Sequence, residues 1–312
     1  MPDRRVAADI SVVIPTVGRD LLRGCLDSIA SGTTLPAEVI VVNQGDPTTV
    51  APWIGDVTDR GLSVRHVASD RTGIAAATND GLARVATPFV ATTHDDCRVA
   101  ADWLERLRAT LGTTSAAVVT GRVDAVGSGL VLTVTADLEP VVYARPLRDR
   151  DVLFPANMGF ALDVLERVGW FDEHPSLRVA GEDNDWAYRA LRAHVSIVYA
   201  PDVRVQHVAW RSPTDRLSLY RTYARGQGAF YGKHLRRGDA FIAGRAARSL
   251  ARAPWLVVRG AVSRNADLLA MGMGELIGLP AGLVAGLRNT RARERRARHE
   301  DGPEDGPAGG RS

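Results

Sequence analysis

The chain has 312 residues, enough to bury the core of one large domain, or of one domain with an appendage. Its 45% hydrophobic and 24% charged residues are those of a globular protein and exclude wholesale disorder. The net charge of +3 hides an arginine run from Arg288 to His299 followed by an acidic, Pro/Gly-rich end, so it argues for no partner class, and the run alone, without an RNA or DNA module, does not make a nucleic-acid binder.

Two cysteines, Cys25 and Cys97, cannot build a disulfide framework, and a reducing compartment is expected. "MPDRRVAADISVVIP" reaches a strand-like run without the apolar stretch of a signal peptide. The expected location is cytoplasmic.

The first element is the strand "ISVVI". The helix "RDLLRGCLDSIAS" follows, with Leu21, Leu22, Cys25, Leu26 and Ile29 on one face. Next come the strands "AEVIVV" and "SVRHVAS", the helical "GIAAATNDGLARV", the strand "PFVATT", the helix "ADWLERLRATLG" and the strand "AAVVTG". Strands and helices alternating in this way predict an α/β fold, a mainly parallel, Rossmann-like sheet flanked by helices. On such a sheet ligands lie outside the carboxyl ends of the strands. Asp95 and Asp96, directly behind "PFVATT", occupy that place.

After "FPANMGFALD", "GEDNDWAYRALRAH" reads as a helix opened by Glu182 and Asp183, and "VSIVYAPDVRVQHVAW" as a strand ending at His207. Beyond Arg211 the β pattern stops. Residues 212–290 read as a helical appendage and 291–312 as a disordered charged tail, leaving 1–211 as the main domain. Charges and Pro280 interrupt the apolar runs, and the longest uncharged piece, Leu276 to Leu287, falls short of the ~20 residues of a spanning helix. Two readings of the appendage stand: an amphipathic surface at an anionic bilayer, or helices packed on the main domain.

The first strand is not followed by G-x-G-x-x-G or by a P-loop, which removes the main support for dinucleotide and nucleoside-triphosphate readings. Two adjacent carboxylates at a strand tip can hold a divalent cation, act as acid and base, or close a turn. Glu182, Asp183 and Asp185 at a helix start exceed what a cap needs.

In order, "SVVIPT", "EVIVVNQGD", "RTGIAAATNDGL", "ATTHDDCRVAADWLERL", "FPANMGFALDVLERVGWFDE", "GEDNDWAYRAL" and "YAPDVRVQH" closely resemble the family 2 glycosyltransferases of GT-A fold, from about Ile10 to His207. The resemblance implies an inverting transferase that moves a hexosyl or deoxyhexosyl group from a nucleotide-diphosphate sugar to a polysaccharide or lipid-linked cell-envelope acceptor, with Mg²⁺ or Mn²⁺ as cofactor. By that resemblance Asp96 holds the metal, with His207 as a further ligand, and Asp95 contacts the ribose or the surroundings of the metal. Asp183 is the base, kept ionised by the helix dipole, and Glu182 organises the acceptor or the loop.

The donor would meet Pro15, Thr16, Asn43, Arg71, Gly73, Asn79 and Asn157. Arg71 would offset diphosphate charge. For Asn79 and Asn157 a turn role stands beside this one. Asn43 and His94 depart from the family pattern, where an acid is common at both places. Rival readings are an inactive nucleotide-sugar-binding protein or assembly partner, and a nucleotidyltransferase. The sequence names neither sugar, nucleotide nor acceptor.

Overall fold

The computed structural model describes residues 5–113, 117–132, 134–135 and 137–300, with side chains as far as 288. The strands are β1 (Arg5–Thr16), β2 (Thr34–Asn43), β3 (Val64–Ala68), β4 (Phe89–Thr93), β5 (Cys97–Val99), β6 (Ala117–Val126), β7 (Val141–Tyr143), β8 (Asn157–Ala161) and β9 (Ser196–Val208). Among the described residues they form one sheet in the order β3-β2-β1-β4-β8-β6-β9-β5, with β7 beside β9. The β3-β2-β1-β4 half is parallel. Beyond it β8 runs antiparallel to β4 and β6, and β5 and β7 run antiparallel to β9.

Six helices cover the sheet: α1 (Leu21–Ala30), α2 (Pro47–Thr58), α3 (Ile74–Leu82), α4 (Trp103–Thr113), α5 (Val164–Val168) and α6 (Glu182–Arg192). β1 shows why both faces are needed. Ile10, Val12 and Ile14 enter the core beneath α1, α2 and α4, while Val13 enters the core beneath α3, α5 and α6. Side chains alternate along a strand, so a strand apolar at successive positions must be covered on both sides. Leu22, Cys25, Leu26 and Ile29 are buried on α1, as their spacing predicts. The helix α2, whose Asp46 side chain accepts from the Thr48 N–H to cap it, was not legible in the sequence: it opens on Pro-Thr-Thr and carries Pro52.

Among the described residues three further helices follow: α7 (Arg216–Leu235), α8 (Ala240–Val262) and α9 (Ala266–Glu300). The boundary expected at residue 291 falls inside α9, and residues 301–312 of the expected tail lie outside the described residues. α9 packs between α7 and α8. Gly274, Gly278, Gly282 and Gly286 recur every four residues along α9 and meet the backbone of α7; a Cβ built on Gly282 would lie 1.9 Å from the Arg225 carbonyl oxygen. Small residues at this spacing let two helix backbones approach closely.

One stretch, Ala266–Arg288, is long and apolar enough by length and composition to cross a bilayer, with 33% of its most apolar window buried. This corrects the expectation drawn from the longest uncharged piece. The buried share lies against the neighbouring helices.

The helical layer is tied to the sheet domain by charge. Asp185 of α6 is fully buried and receives Lys233 Nζ at 2.6 Å, His234 Nε2 at 2.8 Å and Arg189 Nε at 2.8 Å. Lys233 also reaches Asp172 at 2.7 Å. A buried carboxylate is tolerated only with such partners.

Candidate active site

The carboxyl ends of β1 and β4, the start of α6 and the end of β9 converge on a cavity of about 990 Å³. The register of β5 against β9 sets Cys97 opposite His207. Asp96, one residue earlier, therefore lies beside that ring, with Asp96 Oδ2 3.2 Å from His207 Nε2. Asp96, Cys97 and His207 are buried and offer ligand atoms within 4.8 Å of one another.

Neither nitrogen of the His207 ring has a hydrogen-bond partner of good geometry. A buried imidazole beside a carboxylate with its lone pair unspent suits a divalent cation. Burial pushes the Cys97 thiol well above its ordinary range, so it stays protonated and leaves an Asp/His donor pair, which fits Mg²⁺ or Mn²⁺ better than a softer, thiolate-seeking ion. Burial opposes the charge on Asp96, but the His207 and His94 rings and the Trp210 N–H, 2.9 Å from Oδ2, hold its carboxyl well below the usual range. Asp96 is ionised at neutral pH, the form a cation needs.

Asp95 is held differently. Thr16 Oγ1 donates to its Oδ2 at 2.7 Å and Arg19 Nη1 to its Oδ1 at 3.1 Å. Burial raises its pKa against these partners. Arg19 and Arg211 both stack on Trp210, at 4.9 and 4.5 Å. Two guanidinium groups thus stand next to the acidic tip. Sequence reading did not single out Arg19, Trp210 or Arg211; the adjacency of Arg19 to the end of β1 was the available signal.

Across the cavity, Glu182 and Asp183 open α6. Gly181 precedes them at φ +94, and its Cβ would lie 2.6 Å from the Gly226 carbonyl oxygen of α7. Only glycine serves there, on both conformational and steric grounds. Burial lifts the Asp183 carboxyl to about 6, against the Asn184 N–H that donates to its Oδ1 at 2.8 Å. Asp183 is therefore mostly ionised at pH 7 yet a stronger base than an exposed aspartate. Burial and the neighbouring Asp183 raise Glu182 well above the carboxylate range.

Of the residues singled out in the sequence, Pro15, Thr16, Gly73, Asp95, Asp96, Glu182, Asp183 and His207 line this one cavity. Four others are committed elsewhere. Asn43 closes the β2–α2 turn, donating to the Asp46 carbonyl at 3.1 Å and accepting from the Gly45 N–H at 2.9 Å; its neighbour Gln44 reaches the cavity instead. Arg71 is exposed and ion-paired to Asp80 and Glu173. Asn79 clamps the backbone of Phe171 and the Glu173 carboxylate. Asn157 is completely buried, donating to the Arg122 and Val203 carbonyls and accepting from Trp103 Nε1. The amides of Asn79, inside α3, and Asn157, at the start of β8, are spent on holding distant segments of the fold together, a structural role although not in a turn.

The helices beyond Arg211 contribute to the same cavity. Tyr223 and Gln227 of α7, Arg248 and Arg252 of α8 and Glu275 of α9 line it. The packed reading of the appendage is therefore the observed one.

The family model described as "Glycosyl transferase family 2" matches residues 11–164. Over 99 residues the chain is 27% identical to the glycosyltransferase GlyA of Streptococcus pneumoniae serotype 4, a match covering 31% of this chain and 14% of that relative. Among solved structures, the mannosyltransferase PcManGT from Pyrobaculum calidifontis in complex with GDP-Man and Mn²⁺ superposes with a TM-score of 0.60 at 18% identity, covering 92% of this chain and 88% of that one. S. aureus TarS in complex with UDP gives 0.54 at 18% identity, covering 94% and 92%. The longer TarS structure is covered over 55% of its length. At these identities the structures show a shared fold, of GT-A type. Acidic strand tip, mixed sheet and matched stretch agree: through residues 11–164 the chain belongs to glycosyl transferase family 2.

Proposed function

We propose that this glycosyltransferase moves a hexosyl or deoxyhexosyl group from a nucleotide-diphosphate sugar to a hydroxyl of a polysaccharide or lipid-linked cell-envelope acceptor, with inversion. The observation that carries the reading is Asp183, whose carboxyl titrates near 6 and which shares one cavity with Asp95 and Asp96. In a single displacement the acceptor oxygen bonds to the anomeric carbon while the bond from that carbon to the diphosphate oxygen breaks. The electron pair leaves with the nucleoside diphosphate, and the acceptor proton passes to Asp183. One carboxylate on the face opposite the leaving group suffices for this.

Mg²⁺ or Mn²⁺ held by Asp96 and His207 would neutralise phosphate oxygens and act as Lewis acid. Thr16 and Arg19 fix Asp95 for the ribose, and Gly73 lets backbone come close to the donor. That structures of similar fold hold UDP or GDP-Man with Mn²⁺ supports a donor of this class. Trp255, Val258 and Val262 of α8, at 54%, 63% and 81% exposure, support peripheral binding at the cytoplasmic face of the membrane.

Thermal stability with UDP, GDP and dTDP, with and without Mn²⁺, tests the donor site. A ligand at ~100 times its Kd adds about 2.7 kcal/mol. One nucleotide is expected to stabilise the wild type only with Mn²⁺, and Asp96→Ala to lose the effect. Stabilisation by none of the three would sink the reading.

A further inference from the structure

Arg245, Arg248, Ser249 and Arg252 lie at i, i+3, i+4 and i+7 of α8 and all line the cavity. This spacing puts them on one helix face. Opposite them the loop carrying Arg148, Arg150 and Asp151 lines the same space, with Arg148 Nη1 2.7 Å from where a Gly244 Cβ would be.

Two of these arginines are fixed by acids: Arg245 pairs with Asp151 at 2.6 Å, and Arg252 pairs with Glu275. Arg248, between them, and Arg150 have no ion-pair partner among the described residues. Asp151 is near enough to raise Asp183. From Arg245, ion-paired to that Asp151, the stripe runs for about 10 Å, seven residues at 1.5 Å each, along the cavity that Asp183 also lines.

We infer that this stripe binds a phosphate group carried by the acceptor, with Arg248 and Arg150 as its main contacts. A hydroxyl poised at Asp183 then has the phosphate of the same molecule within reach along α8. Guanidinium groups match phosphate oxygens in bidentate pairs, and Arg248, left unneutralised between two ion-paired neighbours, and Arg150 on the loop beside Asp151 both offer their charge to this cavity. Trp255, three residues past Arg252 on α8, gives the outer end an apolar flank. This inference rests on the transferase reading for the place of the hydroxyl.

The test is calorimetric titration of the full chain, in EDTA, with inorganic pyrophosphate, farnesyl diphosphate and farnesol. Without a metal the Asp95–Asp96 tip repels a diphosphate, so the donor end is silent. Both diphosphates are expected to bind the wild type and Asp96→Ala alike, and to lose at least tenfold in the double variant Arg150→Gln, Arg248→Gln. Farnesyl diphosphate binding more tightly than pyrophosphate assigns the phosphate to a lipid-linked acceptor; equal affinities assign it to a water-soluble one. Affinity unchanged in the double variant, loss in Asp96→Ala, or equal binding of farnesol overturns the inference. The donor reading is checked separately by nucleotide stabilisation with Mn²⁺ in the same double variant. If that fails in every variant while the arginine-dependent binding persists, the transferase reading falls and the anion site stands.

Discussion

At Asp183 function and stability pull in opposite directions. Its carboxyl is raised from 3.8 to about 6 by burial, so the folded state holds the proton more tightly than the unfolded chain. For a group raised in this way, the contribution to stability is full below pH 3.8 and is lost as pH climbs through 6. At pH 7 the ionised side chain therefore weakens the fold, by roughly 1–3 kcal/mol after allowance for partial exposure. Asp183→Asn removes that charge but can still accept from the Asn184 N–H. It should raise Tm by a few degrees while transfer falls on the order of 100-fold or more; a lower Tm measured by calorimetry would contradict the burial argument. Wild-type turnover should climb with pH through about 6 and level off above it, and a flat profile from pH 5 to 8 would remove Asp183 as the base. The acidic positions of this site were legible in the sequence, because carboxylates at a strand tip and at a helix start stand out against an apolar pattern. The roles of Asn43, Asn79 and Asn157 were not: an amide that closes a turn or braces distant segments and one that reads a ligand look the same until its partners are known.

Among the elements, α7 and α9 show how composition can mislead. The α9 sequence reads as an apolar surface segment, yet its glycines at 274, 278, 282 and 286 face the backbone of α7. Spacing announced a helix but not its partner, since a small-residue stripe specifies close approach without saying to what. Gly→Ala inside a helix ordinarily gains about 0.5–1 kcal/mol. At Gly282 the added Cβ would meet the Arg225 carbonyl at 1.9 Å, so Gly282→Ala should instead lose stability, by about 1–3 kcal/mol. Urea denaturation decides, and a stabilised variant would show that the helices can part without cost. Lys233 makes the complementary case. It joins Asp172 and Asp185 across the α6–α7 contact, and Lys233→Met leaves Asp185 with only His234 and Arg189. A loss of about 2–4 kcal/mol is expected, and it should persist in 1 M added salt because the pair is too buried to be screened; a change under 0.5 kcal/mol would mean that the other two cations suffice. The parallel half of the sheet was legible from alternating runs. The antiparallel β5 and β7, three residues each, carry too little periodicity to be read.

For the whole molecule, the helical layer cannot be treated as a detachable anchor. It supplies Tyr223, Gln227, Arg248 and Glu275 to the cavity wall and Lys233 and His234 to buried Asp185. Removing everything after Arg211 would expose Asp185 without two of its partners and open the cavity, so lost membrane binding in such a truncation could reflect unfolding. Surface substitution isolates the question. Trp255, Val258 and Val262 follow one side of α8, and Arg259 stacks on Trp255 at 4.9 Å, an aromatic and cationic pairing suited to an anionic headgroup layer. The triple variant Trp255→Ser, Val258→Ser, Val262→Ser removes exposed apolar surface, so Tm and Mn²⁺-dependent nucleotide stabilisation should hold. Sedimentation with vesicles of mixed phosphatidylcholine and phosphatidylglycerol should weaken at least tenfold, about 1.4 kcal/mol, and the wild-type interaction should fade as salt rises. Undiminished sedimentation of the triple variant would assign α8 to the fold alone. Because the arginine stripe and the apolar flank share α8, a bilayer held at that flank would bring a lipid-linked acceptor to the mouth of the cavity with its phosphate already beside Arg248.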